Sequence, residues 1–530
     1  MPPKFPKKFI QRIEEILPKN EIGNFLQSAT EPLPKTIRIS PNFSPPKNWK
    51  LKKVADIPEA FFIDRDDKKK IPLGKTLEHF SGKIYVQSLS SMLPVKILNP
   101  QPDEKILDIC ASPGSKTTFL AQKMENTGVV VANEPSNSRI KKLVANVNRL
   151  GLKNVCFIQH KGENLNNFFA QEFDKILLDA PCSSEAFGRR DNTFFQKKWF
   201  EKHILESASL QKKLIKSAFE ILCPGGELVY STCTSAPEEN EEVIEFLDKI
   251  YGEFLEIVPI NLKNIPHYSG VKKFGKNIYQ KKIYENAIRI WPHLKNKNWD
   301  SEQFFCAKIK KTKSLKLKNL QNFSAQNLSK KSDYIIVNST NILPKQKFYG
   351  CKKFKNKSKD KNITTPSIKF FKKNQRAEIL TKLIKKFEFP KNLFDKYEIV
   401  KKNENISFCT KASASFCVKN YCKKIGQKIF SYPIKNKFST KQKKDELIIS
   451  SEFSLHYGIF AKKNIFEVDE NLKEKFLAGF DLIFSSPPEE LKNIQNGEYI
   501  FVIFKNYCLG PAKLQNSGKK LKNKLDRNLI

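Results

Sequence analysis

Short apolar runs alternate with amphipathic stretches along much of the chain. "EKILDIC" (104–110), "GVVVANE" (128–134), "VCFIQ" (155–159), "FDKILLD" (173–179) and "ELVYSTC" (227–233) read as buried strands. After the turn "ASPGS", Thr117, Leu120, Ala121 and Met124 fall at helical spacing. "SNSRIKKLVANVNRLG" places Ile140, Leu143, Val144, Val147 and Leu150 on one face; Ser136 or Ser138 can cap it and Gly151 stops it. "LQKKLIKSAFEIL" predicts a helix ending at Pro224-Gly225-Gly226, and "EENEEVIEFLDKIY" predicts another. Strands alternating with helices imply an α/β fold with a doubly wound, mostly parallel sheet. "AIRIWPH" (287–293) and "FFCAKIKK" (304–311) predict a closing antiparallel pair.

The flanks differ. Residues 1–75 predict a small, partly helical module, with apolar-periodic stretches at 9–17 and 22–26 and a strand in "PLPKTIRIS". Residues 76–311 carry the regular α/β pattern. Residues 312–365 lose it; their Lys, Asn and Ser richness predicts a flexible basic linker. Patterning returns at 366–530, where "AEILTKLIKKFEF" reads as a helix and "ELIIS", "YGIFA" and "EYIFVIF" as strands of a smaller α+β domain.

Composition narrows the partners. The 530 residues exceed one ordinary core, consistent with several domains. Lys+Arg total 95 against 55 Asp+Glu, a formal charge of +40, which favours a polyanion, nucleic acid first. The plain alternative is that part of the Lys and Asn richness reflects an AT-biased genome. The 11 cysteines show no CxxC pair and no regular spacing, so thiols in a reducing cytoplasm are expected rather than disulfides. Cys409, Cys417 and Cys422 are near one another but lack zinc-ligand spacing, so no metal is expected. The N-terminus has no apolar signal core, and no run approaches the ~20 residues that span a bilayer. The expectation is a cytoplasmic monomer that binds neither membrane nor metal.

In open α/β sheets ligands bind beyond the carboxyl ends of the strands, and the candidate chemistry falls there. "DICASPGSKT" sets a Pro-Gly turn between strand and helix: Gly114 lets backbone approach a ligand, and the helix N-terminus suits a carboxylate. It is neither GxGxxG nor a triphosphate loop. Glu134 ends the next strand, where an acid can bind ribose hydroxyls. An adenosine-bearing cofactor with a small anionic end fits, S-adenosylmethionine or NAD; the plain alternative is a tight turn beside a strand-end acid.

Two further strand ends carry thiols, Asp179-Ala180-Pro181-Cys182 and Ser231-Thr232-Cys233-Thr234. Methylating carbon 5 of a pyrimidine requires a thiolate, because sulfur addition at carbon 6 turns carbon 5 into a nucleophile. An adjacent acid can hold the base. A thiol of pKa ~8.5 needs an electropositive setting to attack; Lys116, Arg189 and Arg190 are candidates. Cysteine is also often simply buried, the reading for Cys110, Cys156 and Cys223.

"YVQSLSSMLP", "DICASPGSKT", "NE" at 133–134, "DAPCSS" and "YSTCTSAPEENEEVI" resemble the signature motifs of the Nol/Nop/Sun-type RNA cytosine-5 methyltransferases. The ending "LGPAKLQNSGKKLKNKLDR" resembles the tail of bacterial RsmF-type enzymes, with Asp526 where proline is usual. The resemblance implies a Rossmann-like class I methyltransferase domain at 76–311, flanked by an N-terminal RNA-binding module (1–75) and, beyond the linker, a PUA-like RNA-binding domain (366–530). It implies S-adenosylmethionine as cofactor, held by Cys110, Ala111, Ser112, Pro113, Gly114, Ser115 and Lys116, with Glu134 at the ribose, Asp179 between cofactor and base, and Glu163 near the adenine. It points to Cys233 as the attacking thiol and Cys182 as the aid to product release. Small-subunit ribosomal RNA is the implied substrate; transfer RNA, or a non-catalytic role in ribosome assembly, are the rivals. Three positions depart from the family: Gly162-Glu163 stand where an aspartate is usual, Ser184 replaces a glycine, and "SEQFF" replaces Gly-Phe-Phe.

Overall fold

The computed structural model describes residues 5–315 and 368–526, apart from 42, 66–70, 192, 372, 403–404, 420–421, 423 and 432–447. The linker expected at 312–365 lies outside the described residues from 316 onward.

The centre is a sheet built from β1 (Lys105–Asp108), β2 (Val129–Asn133), β3 (Val155–Ile158), β4 (Phe173–Asp179), β5 (Leu222–Thr232) and β6 (Phe304–Lys311). Their spatial order is β3-β2-β1-β4-β5-β6. The first five are parallel; β6 returns antiparallel beside β5 and pairs with Ile288–Ile290. This is a Rossmann-like methyltransferase topology. β2 and β3 are almost wholly apolar because helices cover both faces of a parallel sheet. The crossovers include α1 (Ser115–Lys123), α2 (Asn137–Arg149), α3 (Glu201–Ile221) and, after β5, α4 (Glu241–Tyr251). Ser136 caps α2, accepting from the amide of Arg139.

The N-terminal part holds helices Lys7–Glu14 and Ile22–Ser28 and a four-stranded antiparallel sheet. That sheet takes its fourth strand from Ile84–Val86, past residue 75. Phe9, Phe25 and Ala29 share a core with Phe195, Trp199 and Trp291 of the part built on the central sheet. Buried Arg38 joins the two, donating to Gln87 Oε1, Gln122 Oε1, Thr118 Oγ1 and the Ser115 carbonyl at the start of α1.

The C-terminal part holds two five-stranded sheets. Phe387, Phe408, Phe453 and Phe501 share one core between the two sheets. Its first half is fused to the central sheet. α5 (Lys411–Lys419) lies against it, β7 (Lys424–Ile425) adds antiparallel to the edge strand β3, and Cys409, Phe416, Cys417 and Ile425 share one core with Cys156, Phe169 and Phe173. "YGIFA" is not a strand: α6 (Ser451–Tyr457) runs into it and a 3-10 turn, Gly458–Phe460, follows. The cause is local. Ser450 accepts from the amide of Phe453 and starts a helix whose Phe453, Leu455 and Tyr457 are all buried. Of "ELIIS", Ile448–Ile449 form a short strand and residues 446–447 lie outside the described residues.

Candidate active site

The carboxyl ends of β1, β2, β4 and β5 lie side by side, and the candidate residues lie on them or just after them, except Glu163, which follows β3. After β1, the amide of Ala111 donates to the Asn133 carbonyl at 3.0 Å, fixing the loop to β2. Ser112 Oγ donates to the Arg139 carbonyl, and Asn146 Nδ2 donates to the carbonyl of Pro113. Gly114 has φ +108, and a Cβ there would come within 3.0 Å of Leu143 Cδ1. No side chain caps the N-terminus of α1, so its first amides face the crevice uncapped by side-chain oxygens.

Asp108 is fully buried at the end of β1. Its Oδ2 accepts from Thr117 Oγ1 at 2.7 Å, while Oδ1 has no hydrogen-bond partner. Burial pushes its carboxyl up to about 7, although the Thr117 bond and Lys116 pull the other way. Cys110, the next residue but one, is also pushed up by burial and by the Asp108 charge. Glu134 ends β2 with its side chain 2% exposed; it accepts from the Ser136 amide at 2.9 Å and lies 3.5 Å from Arg139 Nε. At the end of β3, a Cβ on Gly162 would come within 2.6 Å of Leu214 Cδ2 and 2.8 Å of Ile109 Cγ2. No aspartate could stand there without shifting both, which leaves the adjacent half-buried Glu163 as the acid of that turn.

Asp179 ends β4. Its Oδ1 accepts from Ser231 Oγ of β5 at 2.8 Å, and its Oδ2 lies 2.6 Å from Lys116 Nζ. Burial lowers the Lys116 ammonium, but Asp179, Asp108 and Cys233 together outweigh it and hold it raised and charged. Of the three candidate cations, only Lys116 reaches the thiols' surroundings. Arg189 is spent on Asp300 and on the carbonyls of Glu31 and Ser301, and Arg190 pairs with Glu302.

The sulfurs of Cys182 and Cys233 lie 3.2 Å apart. Cys182 is held well above the usual thiol range, first by its hydrogen bond to Cys233 and then by burial.

A second set of residues holds these two turns, and none stood out in the sequence as more than part of a motif. Glu239 accepts from the Ser183 amide at 3.0 Å and from Gln211 Nε2 at 2.8 Å; Gln211 Nε2 also donates to the Pro181 carbonyl. Burial pushes Glu239 up to about 7 against those two donors. Thr232 Oγ1 donates to Asn240 Oδ1, and Asn240 Nδ2 donates to the Thr234 carbonyl. Glu185 accepts from the Ser235 amide and from Trp199 Nε1, both at 2.8 Å. Buried Arg289 pairs with Glu241 and donates to the Ser235 carbonyl. The "PEENEE" run is thus scaffolding for the thiol turns. Ser184 sits at φ 60, where glycine is favoured, and its Oγ donates to the Cys182 carbonyl at 3.1 Å. In "SEQFF", Glu302 accepts from Ser90, and Gln303 is buried with both amide ends unpartnered.

Among the described residues, no helix is long and apolar enough to cross a membrane. Residues 95–310 match the family described as 16S rRNA methyltransferase RsmB/F, and residues 5–89 match the N-terminal domain of 16S rRNA methyltransferase RsmF. The ribosomal RNA small subunit methyltransferases F of Escherichia coli and Citrobacter koseri are 36% and 38% identical to it. Each match covers 59% of this chain and 64% of the relative, so the chain spans less than two thirds of those proteins' length. A solved methyltransferase homolog from Pyrococcus horikoshii is 31% identical, with a TM-score of 0.50, over 58% of this chain and 95% of that one.

Proposed function

This chain belongs to the 16S rRNA methyltransferase RsmB/F family, and on that premise we propose that it methylates carbon 5 of a cytosine in RNA through a covalent cysteine adduct. Small-subunit ribosomal RNA in the cytoplasm is the substrate we favour, because the relatives matched are small-subunit enzymes. The observation that carries the chemistry is the pair of thiols 3.2 Å apart beside the Lys116–Asp179 ion pair.

S-adenosylmethionine suits the donor set. It is a cation with a free ammonium, a carboxylate and ribose hydroxyls. The unpartnered Oδ1 of buried Asp108 and the Asp179 carboxylate suit its positive groups, the open N-terminus of α1 its carboxylate, and Glu134 its ribose. Residues 110–116 would form the wall of that site and Glu163 would flank the adenine. When bound, this cofactor supplies an electrophilic methyl group.

The chain's own residues then do the following. Cys233, as thiolate, forms a bond to carbon 6, and the electron pair of the 5–6 double bond becomes available at carbon 5. Lys116 favours the thiolate. Asp179 holds the exocyclic amine or ring nitrogen of the base, its own position fixed by Ser231 and Lys116. After carbon 5 carries the methyl group, its proton passes to solvent water, the electron pair of that carbon–hydrogen bond restores the 5–6 double bond, and the carbon–sulfur bond breaks with its own pair leaving on the Cys233 sulfur. Cys182 presents its S–H to the departing sulfur of Cys233. The target base must leave its stack to reach these groups.

RNA carrying 5-fluorocytidine tests the reading, since the fluorine cannot leave as a proton does. A denaturant-stable protein–RNA adduct is expected, absent in Cys233→Ala. No adduct with any cytosine-containing RNA sinks it.

A further inference from the structure

The expectation that this protein holds no metal rested on the spacing of Cys409, Cys417 and Cys422 within one segment. The fold adds a thiol that spacing could not show. Cys156 of β3 stands 261 residues before Cys417 in sequence, yet their sulfurs are 3.3 Å apart. The sulfurs of Cys156, Cys417 and Cys422 all lie within 4.8 Å of one another, and all three residues are buried. Sulfurs sharing a tetrahedral zinc at 2.3 Å are about 3.8 Å apart, within the spread found here.

We propose that Cys156, Cys417 and Cys422 bind one soft, thiophilic cation, zinc(II) or copper(I), which clasps the C-terminal region to the edge of the catalytic sheet. The three ligands come from the two sides of that junction: β3 on one, the end of α5 and the approach to β7 on the other. The rest of the junction holds the two sides together. β7 pairs with β3, and Thr410 Oγ1 reaches across to the Gly128 carbonyl. Cys409, also buried, stands outside this group, its sulfur directed to the Glu398 carbonyl at 4.0 Å. Burial and the bonds to Cys156 and Cys422 push the Cys417 thiol up. Binding displaces three protons to the buffer, and the cation neutralises the thiolates formed. The site is independent of the methyl-transfer reading, since none of its residues lies at the strand ends that carry the reaction.

The test uses the full chain purified without chelator. About one equivalent of zinc or copper per chain is expected by elemental analysis, which also decides between the two. Cobalt(II) exchanged for zinc should show sulfur-to-cobalt charge-transfer absorption. Cys422→Ser should weaken binding more than about tenfold, the least that even an outer-shell change produces, whereas Cys223→Ser should leave it unchanged. If Cys422→Ser does not fold, X-ray absorption of the wild-type metal decides: three sulfurs at about 2.3 Å support the site. A shell of oxygen and nitrogen alone, metal well below one equivalent, or a Cys156–Cys417 disulfide in freshly purified protein would overturn it.

Discussion

Cys182 and Cys233 end neighbouring parallel strands, and their sulfurs lie 3.2 Å apart across 51 residues of sequence. The hydrogen bond to Cys233 and burial push the Cys182 thiol up, which suits Cys182 to donating a proton in the mechanism proposed above. Cys233→Ala should form no adduct. Cys182→Ala should attack normally but release slowly, so that adduct accumulates on ordinary RNA and multiple turnover falls by about 10²-fold, the scale of a lost proton-transfer partner. Denaturing gels and steady-state rates check this; normal turnover in Cys182→Ala would remove it from the mechanism.

Lys116 touches three parts of the site: Asp179 at 2.6 Å, Ser91 Oγ at 3.2 Å, and the thiol pair through its charge. Lys116→Met keeps the stem and removes the charge. Adduct formation should slow by about tenfold or more, equivalent to about 1.4 kcal/mol of barrier. Arg190→Met, a comparable change in a cation that pairs elsewhere with Glu302, should leave the rate within about twofold. Single-turnover rates at saturating cofactor distinguish them, and equal effects would deny Lys116 its electrostatic role.

The alternation of apolar and amphipathic stretches made the α/β order legible, because a parallel sheet covered on both faces leaves that signature. The strand-end location of Cys182, Cys233, Asp179 and Glu134 followed from it. What stayed hidden came from long-range pairing. The roles of Glu239, Gln211 and Arg289 depend on turns meeting across β4 and β5, and Arg189 turned out to serve Asp300 rather than a thiol. "YGIFA" misled because its β-branched and aromatic residues follow a capped helix that extends into them. The fusion of Ile425 and Phe416 to the catalytic core was invisible for the same reason: a two-residue strand on a distant segment has no period.

Asp108 makes the cofactor-free chain pH-sensitive. Its folded carboxyl is raised to about 7 from an ordinary 3.8 by burial. A folded pKa above the unfolded one gives stability that is complete below about pH 4 and is lost as pH rises through about 7. Each unit of difference carries about 1.4 kcal/mol. Asp108→Asn keeps an acceptor for Thr117 and titrates nowhere in this range. Urea unfolding at pH 5 and pH 8 should show the wild type losing more stability than the variant between the two. A parallel loss in both would show that Asp108 does not titrate as its burial demands.

Ser184 is a left-handed residue at φ 60 where glycine would be unstrained. Its one compensation is the hydroxyl bond to the Cys182 carbonyl at 3.1 Å. Ser184→Ala removes the bond and keeps the Cβ, and should destabilise by about 1 kcal/mol. Ser184→Gly removes the strain as well and should recover most of that loss. Thermal melts of the three proteins check the order; a glycine variant less stable than the alanine one would show that the hydroxyl, not the backbone, governs this turn.

The charge of +40 makes a basic C-terminal region an obvious RNA grip, and truncation an obvious test of it. The packing makes removal of residues 366–530 a different experiment. It would strip Val400, Cys409, Phe416 and Ile425 from the core that also holds Cys156, Phe169 and Phe173, and would unpair the edge of β3. A chain ending at residue 315 should therefore lose stability and solubility before its RNA affinity can be read. Charge reversal on exposed lysines avoids this. Affinity for RNA should fall linearly in log–log form with salt, and reversing lysines that contact phosphate should reduce the slope by about one unit each. A soluble 1–315 fragment melting within a few degrees of the full chain would show that the shared core is dispensable.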